Sequence, residues 1–294
     1  MKIRNGSIEL HVTEDGSPSA PPVLLLHGIT SYSGTWNWLV PELADRYRVL
    51  RLDFRGHGDS DRAADQYSSS GYISDAVAAL EQVAGQPAIV MGHSLGGVTT
   101  AALVQRHPEL VRAAIMEDPP LALGDSSEPA LEGNSLLAAF RMMRESIPRL
   151  QASGITADVL VGILAAAPSA SGGTFGDSLH RDGIEQMAES MLRVDASVLD
   201  PVLTGSVEPF LDPTAPFGVP TLVVCADPAK PDAVASPRAA RAFADASPAT
   251  EVFVVEGAGH LVHDEVASRD TFRNAVVDFL DRLGSPSSAC APTG

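Results

Sequence analysis

The chain has 294 residues, of which 45% are hydrophobic and 19% charged, the balance of a globular protein with a sizeable core rather than of a disordered one. No segment reaches the run of about 20 apolar residues that a membrane span needs. The N-terminus passes straight into alternating Ile8, Leu10 and Val12 without the apolar core of a secretory leader, so a cytoplasmic protein is expected. The formal net charge is −17, and Lys2 and Lys230 are the only lysines. No basic patch can meet a phosphate backbone, which excludes nucleic acid as a partner. Cys225 lies in an apolar run and Cys290 in a loose tail, a pattern of neither disulfides nor zinc.

Residues Ser7 to Val12 are expected to open a sheet as an antiparallel edge. Val23 to Leu26, Arg48 to Asp53, Ala88 to Met91 and Val111 to Met116 follow as near-continuous apolar runs, the signature of strands buried on both faces of a parallel sheet. Tyr72, Ile73, Ala76, Val77, Leu80 and Val83 recur between them at helical spacing. From about Leu121 to Pro216 no strand pattern occurs. Two helical stripes appear there instead, Leu136, Leu137, Phe140, Met143, Ile147 and Leu150, then Ile184, Met187, Met191 and Leu192. Strands resume at Thr221 to Cys225 and Glu251 to Val255, and Phe272, Val276, Phe279, Leu280 and Leu283 mark a last helix. The fold class is therefore α/β, a mostly parallel, doubly wound sheet with an inserted helical cap. Its expected organisation is a core of residues 1–120 and 217–284, a cap of 121–216 and a flexible tail of 285–294.

Gly92-His93-Ser94-Leu95-Gly96-Gly97 ends one of these strands and opens a helix. Such a turn forces the serine into strained backbone that only small neighbours permit, and lifts its hydroxyl clear of the sheet. Ser94 is thus the expected nucleophile. The helix start beneath it offers free N–H groups where negative charge develops, and Leu26-His27-Gly28-Ile29 ends an earlier strand in a glycine turn. The amides of Ile29 and Leu95 are assigned to an oxyanion hole beside Gly28. His27 and His57 read as structural hydrogen-bonding residues.

Of the eight histidines, His260 follows the last strand in Gly257-Ala258-Gly259-His260, a loop able to bend its ring over the sheet edge where Ser94 stands. It is the expected general base. His263, three residues on, is expected to matter little to turnover, since one ring alone fits between a serine and its acid. His260, His263 and Asp264 lack the further ligands of a metal site, so no metal is expected.

Taken together, His27-Gly28, Asp53-Phe54-Arg55-Gly56-His57-Gly58-Asp59-Ser60, the Ser94 turn and Gly257-Ala258-Gly259-His260 resemble the α/β-hydrolase superfamily in both motif and order. The resemblance implies an α/β-hydrolase fold and a cofactor-free serine hydrolase, a carboxylic ester hydrolase or lactonase working through an acyl-enzyme. It also leaves open C–C hydrolysis, a lyase or perhydrolase reaction, and a non-catalytic small-molecule receptor. Ser94 argues against the relatives that attack with a carboxylate. Met142, Met143, Met187 and Met191 suggest an apolar pocket for a hydrophobic small molecule, and Gly28, Met142, Met187 and Met191 are the expected substrate contacts. The protein is expected to be a monomer or homodimer.

In the superfamily's commonest pattern the triad acid lies a few residues beyond the strand before the histidine strand, but here Ala226-Asp227-Pro228-Ala229-Lys230-Pro231-Asp232 lacks the usual spacing. Some members place it instead after the strand that follows the elbow helix, which reads Ala114-Ile115-Met116-Glu117-Asp118-Pro119. A carboxylate there follows an apolar strand, where an unpaired charge is costly. Glu117 is the expected acid, with Asp227 next and then Asp118 or Asp232.

Overall fold

A computed structural model of the chain describes residues 1–122, 135–169, 172–212 and 215–284. Eight strands form one sheet: β1 (Lys2–Asn5), β2 (Ile8–Asp15), β3 (Pro22–Leu26), β4 (Arg48–Leu52), β5 (Ala88–His93), β6 (Val111–Glu117), β7 (Thr221–Cys225) and β8 (Thr250–Val254). Their order is β1-β2-β4-β3-β5-β6-β7-β8. The pairs β1·β2 and β2·β4 are antiparallel and all others are parallel. The expected edge is corrected by one strand, for β1 pairs Lys2 with His11 and Asn5 with Ile8 and so covers β2. Its four residues are too short to register as a strand by pattern alone.

Helices α1 (Val40–Leu43), α2 (Ser69–Ala79), α3 (Leu95–Arg106), α9 (Pro237–Ala246) and α10 (Arg269–Gly284) connect or flank the strands. Five more stand between β6 and β7: α4 (Ser135–Ser153), α5 (Ala157–Ala166), α6 (Phe175–Ser178), α7 (Arg181–Arg193) and α8 (Asp200–Thr204). The expected tail, 285–294, lies outside the described residues.

The central strands are buried throughout, and their side chains alternate between two cores because successive residues of a strand face opposite sides. In β6, Ala113 and Ile115 join Trp36, Phe272 and Val276 on one face. Ala114 and Met116 join Val98, Ala101 and the helices beyond β6 on the other. Parity along β6 therefore decides which layer each side chain at its end will meet. The sheet's parallel strands all deliver their C-terminal ends to one edge, where a ligand crevice forms in open α/β sheets.

Candidate active site

Ser94 stands between β5 and α3 with φ 51° and ψ −111°, a conformation that costs a non-glycine residue about 1–3 kcal/mol. The turn is held by its surroundings. The Ser94 N–H donates to the Glu117 carbonyl at 2.9 Å, and its own carbonyl accepts from Val98 N–H at 2.9 Å. A Cβ on Gly92 would run into the backbone of Gly96, and one on Gly96 into the carbonyl of Leu26. The two glycines thus let β5, α3 and β3 approach closely enough to hold the elbow. Gly92→Ala or Gly96→Ala is expected to lower the melting temperature by several degrees or prevent folding, a shift readable by thermal denaturation.

Leu95 is the first residue of α3, so its N–H has no acceptor within the helix. The turn after β3 comes up against the serine from the other side: a Cβ on Gly28 would lie 3.4 Å from Ser94 Cβ. Ile29, Ser94, Leu95 and His260 line one cavity. The sequence-assigned nucleophile, base and amide donors are brought together there.

His260 is 4% exposed and fixed through three of its groups. Its Nδ1 lies 2.6 Å from Asp118 Oδ2, its N–H donates to Asp232 Oδ2 at 3.3 Å, and its carbonyl accepts from His93 Nε2 at 3.0 Å. A carboxylate at Nδ1 requires the proton there and leaves Nε2 basic. Asp118 is fully buried, yet its charge is met by the N–H groups of Ala226, Val234 and Ala235 at 2.9–3.0 Å. Its φ of 38° lies in the left-handed region, which Asp tolerates better than most residues.

Glu117, the residue expected beside His260, pairs with a different histidine. Its Oε2 lies 2.8 Å from His263 Nδ1, and its Oε1 accepts from the His263 N–H at 2.9 Å. The physical reason is the parity of β6: Glu117 continues the face of Ala113 and Ile115, toward Trp36, and Asp118 turns to the opposite one. Asp227 is corrected as well. It caps the turn after β7 by accepting from Ala229 and Gly257 N–H, well away from the His260 ring contact. Asp232 touches only the His260 backbone.

His263, expected to matter little to turnover, has close partners of its own. It stacks on Trp36 with ring centroids 4.7 Å apart, and its Nε2 lies 2.9 Å from Thr35 Oγ1. Burial opposes its charge, but Glu117 and Asp264 outweigh that and push its pKa up to about 9. The other buried rings go the opposite way. Burial lowers His27 to about 4 and His57 to about 3, and drives His93 well below its ordinary value, with His260 and His263 adding to the effect. Neutral His27 accepts from Phe54 N–H at 3.1 Å, and His57 accepts from Thr30 N–H at 3.3 Å, the supporting roles read from the sequence. His93, Glu117 and His263 come close enough to hold a metal ion. Their polar atoms, however, are engaged with each other, with Thr35 and with the His260 carbonyl, the arrangement of an ion pair and its supports.

Residues 23–274 match the alpha/beta hydrolase family. The chain belongs to that family. Among its relatives is a 2-(acetamidomethylene)succinate hydrolase of Mesorhizobium japonicum, 37% identical over 113 residues, which are 38% of this chain and 40% of that one. The chain thus aligns with less than half of that relative's length. Two solved structures share the fold over nearly their whole length. An E-2-(acetamidomethylene)succinate hydrolase superposes with a TM-score of 0.71 at 24% identity, covering 96% of this chain and 98% of that one. The enol-lactonase of Burkholderia xenovorans LB400 gives 0.62 at 23% identity, covering 96% and 100%.

Leu136, Leu137 and Phe140 of α4, one of the elements between β6 and β7, line the cavity. The methionines expected there do not. Met142 is 68% exposed, one residue before Met143 of the stripe that meets the core. Met191 is buried and Met187 half-buried in contacts among the helices themselves. The helical stripe was legible, but which part of it reaches the cavity depends on how α4 crosses the sheet.

Proposed function

We propose that the protein is a serine hydrolase acting on an ester or lactone bond of a hydrophobic small molecule. Ser94 is the nucleophile, His260 the general base, and Asp118 the acid that orients it. In the acylation step His260 Nε2 takes the Ser94 proton as Oγ adds to the substrate carbonyl. The resulting oxyanion is met by the Ile29 and Leu95 amides, each such donor being worth about 100- to 1000-fold in rate. The imidazolium then protonates the departing alcohol oxygen as the C–O bond breaks. Water, deprotonated by His260 in turn, releases the acid and regenerates Ser94. The Asp118 carboxylate holds the Nδ1 proton throughout and stabilises the imidazolium without taking that proton.

The observation that carries this reading is the 2.6 Å Asp118–His260 contact on a cavity that also contains Ser94 at its strained turn. The enol-lactonase and the succinate hydrolase among the fold neighbours act, by their names, on a lactone and on an acyl derivative, which is consistent with acyl transfer here.

A fluorophosphonate probe should label the wild type at Ser94 and leave Ser94→Ala unlabelled. That variant should lose turnover of p-nitrophenyl esters by at least about 10³-fold with an unchanged melting temperature. Labelling of Ser94→Ala, or substantial ester turnover by it, would refute the assignment.

A further inference from the structure

The chemistry of the cavity wall narrows the substrate beyond its being hydrophobic. Apart from His260 and Ser94, the wall consists mainly of aliphatic and aromatic side chains, and among its described lining residues none is Lys or Arg. The stretches 123–134, 170–171, 213–214 and 285–294 contain no Lys, Arg or His in their sequence, so they have no cation to add. The charge that the wall does carry is negative. Glu208 lines the cavity as an exposed residue; its carboxylate accepts from Ser70 Oγ at 3.1 Å and its carbonyl from Ser69 Oγ at 2.7 Å. Tyr67, another lining residue, donates its hydroxyl to Asp195 at 2.8 Å, which sets a second carboxylate just behind the wall.

A carboxylate entering this space would lose its hydration without gaining a counter-charge from the lining, and would approach Glu208 at the rim, whereas the charge of Asp195 is already met by the Tyr67 and Ser197 hydroxyls and faces Arg62. An uncharged alkyl group would meet neither penalty.

Resting on the serine-hydrolase reading, we propose that the cavity selects an uncharged, apolar acyl group and rejects acyl groups that end in a carboxylate, with Glu208 as the rim residue that enforces the choice.

The test uses two esters with the same leaving group and chain length, p-nitrophenyl pentanoate and mono-p-nitrophenyl glutarate, which differ only in a terminal methyl against a terminal carboxylate. Wild-type kcat/KM should favour the pentanoate by about 100-fold or more, the penalty expected of an unpaired carboxylate in an apolar site. Glu208→Gln should narrow that ratio by about threefold to tenfold, the smaller effect of a solvent-screened rim charge. Equal kcat/KM for the two esters would overturn the proposal, and a ratio unchanged in Glu208→Gln would overturn the role of Glu208.

Binding separates this outcome from failure of the serine-hydrolase reading. Calorimetry on Ser94→Ala should detect the pentanoate ester and not the glutarate half-ester, whatever the wild type turns over. If the wild type hydrolysed neither ester and fluorophosphonate failed to label it, the serine-hydrolase reading would fall while the binding preference could still stand. Tighter binding of the half-ester would overturn the preference itself.

Discussion

Asp118→Asn is expected to lower ester turnover by about 10³- to 10⁴-fold, the loss typical when a triad carboxylate becomes an amide and the histidine can adopt the wrong tautomer. Glu117→Gln, one residue away on the same strand, is expected to change turnover per folded molecule by less than about tenfold, because its carboxylate meets His263 rather than His260. Each substitution also perturbs packing. Asp118 accepts three backbone N–H groups, and an amide nitrogen facing one of them would strand two donors against each other. Rates must therefore be divided by the concentration of intact sites, measured from the p-nitrophenol burst or by circular dichroism. Asp227→Asn, in an exposed turn cap, should fall within about twofold of wild type. A loss confined to Glu117→Gln, or equal losses in Glu117→Gln and Asp118→Asn, would show that the wrong carboxylate has been given the role.

The choice between these two neighbours marks where sequence reading stopped. The apolar runs of β3 to β7 and the glycine-flanked serine were legible because burial on both faces and a tight turn each constrain residue type directly, whereas β8, at the sheet edge, alternates half-buried and exposed residues. The pair Glu117-Asp118 was legible as a place where a carboxylate needs a partner, since both follow a strand with no exposed exit. Which partner each finds is a matter of parity. A strand fixes it, and the pattern was available: Ala113 and Ile115 pack with Trp36 and Phe272, so Glu117 must share their face. Strand alternation then sends Asp118 to the opposite side, where its positive φ is one that Asp tolerates better than most residues.

The place of His263 was not legible for a related reason. Only one ring fits between a serine and its acid, and that says nothing of what the second ring does. The two rings serve successive carboxylates, and His93 lies 4.7 Å from one and 5.1 Å from the other. Held from beneath by His263 and its partners, the loop presents His260 to the cavity with its backbone already engaged at both N–H and carbonyl. Contacts separated by 142 and 146 residues in the chain leave no local pattern, and a periodicity argument cannot see them. The cap methionines failed likewise: amphipathic spacing identifies the face of a helix that is covered, but not the neighbour that covers it.

Because His263 and Glu117 are both buried, removing one strands the other. His263→Ala is expected to destabilise the fold by about 3–5 kcal/mol, the range for breaking a buried ion pair, with a loss of the Trp36 stack in addition. The same pair predicts a pH dependence. His263 titrates near 6.5 when unfolded and at about 9 when folded, so the native state binds its proton more tightly. The stabilisation is complete below about pH 6.5 and is lost as pH rises through about 9. His11, His27, His57 and His93 have lowered values in the folded state but lose their protons near pH 6.5 when unfolded, so they oppose this slope up to about pH 7.5 and not above it. Asp264 and Arg269 face the same ring, the one raising and the other lowering its affinity for the proton. Thermal denaturation of the wild type should therefore show a melting temperature that declines between about pH 7.5 and 9.5. In Glu117→Gln, which removes the principal charge holding the proton, that decline should flatten even though the protein starts less stable. A wild type and a Glu117→Gln variant with parallel pH profiles would mean that the pair holds the loop without carrying the charge assigned to it.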